Sequence, residues 1–265
     1  KRQGGTLSPT GAAVVRVNSG VTTEVAAPIV GAGSINKLDA GTLLLTGANT
    51  YSGGTTVSGG TLAGNTLSLQ GRILNNAQLL FVQPTNGTFN GVLSGTGSIT
   101  KQGAGALLLT GNQPFSGTVA VDQGVLQVGN AANPGAVFGG QVTVANGAGL
   151  TGNGSVGALV NNGSVTPDNG KLTVAGNFTN GSTGALNLLI TPSSTGSLAV
   201  GGTANLGGTL NVVNLAPYAG PATYTLLTAG AVNGTFGTTN LENLAFLNTA
   251  LNYSPTQVAL AVSRN

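Results

Sequence analysis

Histidine, cysteine, methionine and tryptophan are all absent from the 265 residues. Without histidine there is no ordinary acyl-transfer triad and no imidazole base near neutral pH. Without cysteine there is no thiolate nucleophile, disulfide or thiolate metal site. Acids are few: Glu24, Asp39, Asp122, Asp168 and Glu242, with no DxD or ExxE group. A glycosidase pair would need folding to unite distant carboxylates, and a polysaccharide-cleaving enzyme would need acids clustered in a groove. Asp122 and Asp168 have no close acidic neighbour, which argues against a Ca²⁺ loop. We therefore expect no catalytic, metal or cofactor site in these residues.

Charge is also scarce, at 5% of the chain with a net +3. Disorder needs low hydrophobicity and strong self-repulsion, whereas 40% of these residues are hydrophobic, so the chain can bury a core. The basic residues Lys1, Arg2, Arg16, Lys37, Arg72, Lys101, Lys171 and Arg264 are scattered, with no interleaved aromatics, and nucleic-acid binding is not expected. Lys1-Arg2-Gln3-Gly4-Gly5 is followed by no apolar segment, and no apolar run anywhere approaches the length of a membrane span. Neither a signal peptide nor a membrane helix is predicted here, so an exported protein would have further chain at both ends.

What the chain has in abundance is glycine, 46 residues of it, and a repeat. The stretch 31–62 matches 95–126 without a gap, identical at 17 of 32 positions. Lys37, Gly41, Leu43, Leu45, Gly47, Tyr51 and Gly53 correspond to Lys101, Gly105, Leu107, Leu109, Gly111, Phe115 and Gly117. A shorter echo begins at Gly152-Asn-Gly154-Ser155-Val156. Between the glycines lie runs such as Gln141-Val-Thr-Val-Ala145 and Lys171-Leu-Thr-Val-Ala175, alternating so that one side is apolar. Gly, Asn, Ser and Asp separate these runs, and no stretch has sustained helical periodicity. A fixed period in an all-β chain points to a solenoid. With coils of about 20–22 residues, the offset between the copies makes about three coils and the chain about twelve, a stack of roughly 58 Å. Asn75-Asn76 and Asn161-Asn162 suit side-chain ladders between coils.

The blocks from Lys37 to Leu62 and from Lys101 to Gly117 resemble the passenger-associated transport repeat of bacterial autotransporters. The segments Gly152–Thr179, Leu206–Leu210, Tyr224–Ala229, Gly234–Phe236, Leu244–Leu247 and Val258–Asn265 look like the end of such a passenger. Leu38-Asp39 in place of Gln102-Gly103, and Gln113-Pro114 in place of Asn-x-Tyr, are departures at turns. The resemblance implies a right-handed parallel β-helix, with N-terminal coils over 1–30, repeats over 31–200 and an autochaperone-like cap over 201–265. It also implies export through the protein's own C-terminal outer-membrane β-barrel, expected after Asn265, and a location at the cell surface or outside the cell.

Five of the eleven aromatics (Tyr218, Tyr224, Phe236, Phe246 and Tyr253) lie near the C-terminus, so the C-terminal core is predicted to be the richest. Tyr218, Tyr224, Phe236, Phe246, Leu247 and Tyr253 are the candidate folding nucleus or edge cap. Lys37 and Lys101 are read as solvated gatekeepers on uncharged coils. The pattern Gly152-x-Gly154-x-x-Gly157 with Asp168 matches a dinucleotide fingerprint, but Ala158–Gly163 reads as strand and turn where that mechanism needs a helix. Asn86-Gly-Thr88 and Asn177-Phe-Thr179 read as turn chemistry. Two functions remain open: a non-catalytic, monomeric stalk displaying an upstream effector, or an adhesin that binds host or neighbouring-cell surfaces through its face.

Overall fold

The structure is a computed structural model that describes residues 5–168, 170–191, 194–213, 221–241 and 247–264, and among these no helix occurs. Strands of two to eight residues stack in parallel to form a β-solenoid with three faces. Face 1 begins with Ala12–Arg16, Ser34–Leu38 and Thr55–Val57. It passes through the Gly95–Phe115 bridge to the strands Val137–Phe138, Lys171–Val174 and Ser197–Val200. Face 2 stacks eleven strands from Thr22–Val25 to Ala231–Asn233, and face 3 stacks eight from Gly87–Phe89 to Thr238–Leu241.

Alternation explains the packing. In each strand one set of side chains points inward, and parallel register stacks like on like. The inward column of face 2 runs Leu43, Leu62, Leu79, Ile99, Val119, Val142, Leu159, Phe178 and Ala204. All of these are buried, each large aliphatic member contributing about 1.5–3 kcal/mol. Phe115 and Phe138 stack from adjacent coils with centroids 5.8 Å apart.

Eleven strands on the longest face bound about ten turns, not the expected twelve. The turns are unequal, the one from Thr61 to Gln78 being short and the one from Thr203 to Ala231 long, and the last segment leaves the solenoid path. The meaning of the repeat offset also changes. Three turns beyond Ile35, through Thr55 and Ile73, stands Leu93. Ile99, the counterpart of Ile35 in the second copy, lies further along the chain, on the next face. The two copies are therefore related by three turns plus one face.

At the C-terminal end the parallel pattern stops. Ala222–Thr228 pairs antiparallel with Gln257–Arg264, which forms a hairpin with Leu247–Ser254. The hairpin turn crosses to face 2, where the carbonyls of Thr256 and Pro255 accept from the N–H groups of Ala229 and Val232. Among the described residues, the largest fully buried rings lie between Phe81 and Phe178, and the richest aromatic core is not C-terminal as predicted. Leu226, Leu227, Val258 and Leu260 fill that end instead, because each coil there presents aliphatic side chains inward.

Candidate functional site

The repeat encodes a corner: a strand, a turn and a second strand on the next face. In the first copy Ser34–Leu38 on face 1 leads to Thr42–Leu45 on face 2, and in the second Ser98–Gln102 on face 2 leads to Ala106–Leu109 on face 3. Leu43, Leu45, Leu107 and Leu109 are buried core residues. A Cβ on Gly41 would collide with the Asn18 carbonyl, and one on Gly105 with Thr85, so the coils touch backbone to backbone at this position. Gly47, Gly53, Gly111 and Gly117 take the corresponding turn positions that follow.

Lys37 and Lys101 are fully buried, both at 0% exposure, which overturns the solvated-gatekeeper reading. The reason is a set of three carbonyls around each amine. Lys37 Nζ donates to the carbonyls of Leu38 (2.8 Å), Asp39 (2.9 Å) and Gly59 (3.1 Å). Lys101 Nζ donates to those of Gln102 (3.3 Å), Gly103 (2.6 Å) and Gln123 (2.9 Å). Each acceptor in the first set is the repeat counterpart of one in the second. Burial pushes both amines below the usual lysine pKa, opposed at Lys37 by the Asp39 carboxylate. The turn requires a left-handed residue after the lysine: Gly103 has φ 84°, and Asp39, at φ 63°, fills the same place. Asp39 also meets exposed Arg16 at 3.0 Å.

One further buried polar position recurs and a second is replaced by an apolar pair. The Ile29 N–H donates to Asn49 Oδ1 (2.8 Å), and the Leu93 N–H donates to Gln113 Oε1 (2.6 Å). The Gln113-Pro114 departure therefore preserves the amide's role as acceptor with a longer side chain. Tyr51 shares a 2.5 Å hydrogen bond with Thr55, whereas Phe115 and Val119 stand at the same positions as an apolar pair. Burial raises the Tyr51 pKa, and the Thr55 hydrogen bond opposes the rise.

Between coils, buried Asn75 Nδ2 donates to Ser98 O (2.8 Å), and buried Asn161 Nδ2 to Asn180 Oδ1 (2.7 Å). Asn75 and Asn161 thus form the inter-coil bonds predicted for their pairs. An outer asparagine ladder was missed: Asn211 Nδ2 donates to Asn187 Oδ1 (2.6 Å) and Asn240 Nδ2 to Asn211 Oδ1 (2.8 Å). Its steps of 24 and 29 residues follow no fixed period that the sequence could have revealed.

Of the candidate nucleus residues, Phe236 is buried, while Tyr224 and Leu247 are half-buried against the core. Tyr253 is exposed, its hydroxyl accepting from the Phe236 N–H at 3.4 Å. Tyr218 and Phe246 lie outside the described residues. The Gly152–Gly157 pattern falls across the strands Gly149–Gly152 and Ser155–Val156, with no helix following. Among the described residues no three acids gather where they could hold a metal.

Residues 35–63 and 99–128 match the passenger-associated transport repeat family. Over 149 residues, 44% of its length, the chain is 32% identical to the adhesin BmaC autotransporter of Brucella suis biovar 1 (strain 1330). It spans about 4% of that relative's length. Two transport repeats at corners of a parallel solenoid, three turns and one face apart, with this similarity, make the chain part of an autotransporter passenger region, located at the cell surface or secreted.

Proposed function

We propose that this region is a non-catalytic stalk that supports outer-membrane translocation and folding and displays an effector domain lying before Lys1. The observation that carries the reading is that the parallel stack gives way to an antiparallel closure over 222–264. The C-terminal end is closed by an antiparallel hairpin across two faces. Coils of a solenoid add to an existing edge. A capped C-terminal end supplies a stable template on which folding advances toward the N-terminus outside the cell, and sparse charge eases threading through the barrel, the partner expected after Asn265. No cofactor enters this role, and the stalk acts as a monomer.

The test is surface display of a reporter fused before Lys1 in the protein carrying its barrel. Display is expected, and deletion of the 247–264 hairpin should reduce it several-fold; equal display without the hairpin would remove the template role.

The second reading is direct adhesion, favoured by the relative described as an adhesin. Its surface would be a polar face such as the asparagine ladder of face 3. Binding of the isolated region to cells, lost when Asn187, Asn211 and Asn240 are replaced by Asp, would establish adhesion; inertness would leave the stalk.

A further inference from the structure

We propose that Lys37 and Lys101 are inter-coil latches, each fastening its corner to the coil that follows it toward the C-terminus. Two of each amine's acceptors, the carbonyls of residues 38 and 39 or 102 and 103, belong to its own turn. The third, Gly59 or Gln123, belongs to the next coil, 22 residues on. The amine is fully served only when that coil is in place. Because the same three acceptors recur at two different corners, the latch belongs to the corner motif itself and not to one face of the solenoid.

Other buried donors share the polarity. Asn49 reaches Ser68 (19 residues on), Asn75 reaches Ser98 (23), Asn161 reaches Asn180 and Ala185 (19 and 24), and Asn180 reaches Gly207 (27). Gln83 and Gln113 donate the other way, 17 and 22 residues back. Both lysines and, among the described residues, all four buried asparagines thus bind a coil to its C-terminal neighbour. A buried lysine is costly without partners, so the following coil's carbonyl matters out of proportion to one hydrogen bond. Because each latch ties its own turn to the coil that follows and the C-terminal end is capped, loss of a latch should free the coils on its N-terminal side.

Native-state hydrogen exchange on the intact region tests this with two variants, Lys37→Met and Lys101→Met. Each keeps an unbranched side chain and removes the donor. In Lys37→Met, amides before about residue 59 should exchange about tenfold faster or more, and those beyond it should keep wild-type protection. In Lys101→Met the boundary should move to about residue 123. Exchange that rises equally on both sides, a boundary that stays put between the variants, or unchanged protection in both would overturn the proposal. If Lys101→Met does not fold, the Lys37→Met boundary decides the matter alone.

Discussion

Tyr51 and Thr55 offer an experiment already performed within the chain, since the second copy of the repeat has Phe115 and Val119 in their places. Removing one member of a buried hydrogen-bonded pair leaves the other unsatisfied, whereas removing both does not. Tyr51→Phe and Thr55→Val should each lower stability by about 1 kcal/mol, and the double variant should lie close to wild type. Denaturant titration of the four proteins measures the coupling. The pair also has a pH signature. Because the folded protein raises the Tyr51 pKa above 10.0, the unfolded chain releases that proton first as pH rises. Stability linked to Tyr51 is complete below pH 10.0 and falls as pH climbs through the folded pKa. The double variant should lack that part of the alkaline decline.

At the scale of the strand and turn, glycine spacing sets the solenoid's corners. Gly41→Ala and Gly105→Ala should each cost about 1–3 kcal/mol, because the new methyl meets backbone of the preceding coil. Thermal melts check this, and an unchanged Tm in either variant would show that the coils can separate there. Among the inner asparagines, Asn180→Ala removes the amide that serves Gly184 and Gly207 and the acceptor that serves Asn161. A loss of about 2–4 kcal/mol is expected from these abandoned partners, read by the same melts.

These elements also mark how far the sequence could be read. Strand alternation is visible because inward leucines and valines repeat at period 2, and the corner motif because Gly41, Gly53, Gly105 and Gly117 cannot vary without collision. Whether Lys37 is inside or outside was not legible: a lysine between Asn36 and Leu38-Asp39 on a nearly uncharged coil looks solvated, and its acceptors are main-chain carbonyls that no side chain announces. The rotation of the second copy by one face was hidden for a related reason. It depends on the unequal turns that lead from Ile35 through Thr55 and Ile73 to Leu93, and a match between two stretches of sequence does not reveal where the corners fall.

For the whole molecule, stability should be graded from one end to the other. The hairpin Leu247–Ser254 and Gln257–Arg264 closes one end with the buried side chains of Val258, Leu260 and Val262. The latches point toward it, each fastening a coil to its C-terminal neighbour. The central claim is that the C-terminal segment is the template for the rest, and refolding of two truncations of equal size tests it most directly. Chains lacking residues 1–48 or 218–265 are diluted from denaturant and followed by far-ultraviolet circular dichroism. The account predicts that the first regains a cooperative β signal and the second does not; complete refolding of the chain without residues 218–265 would contradict it.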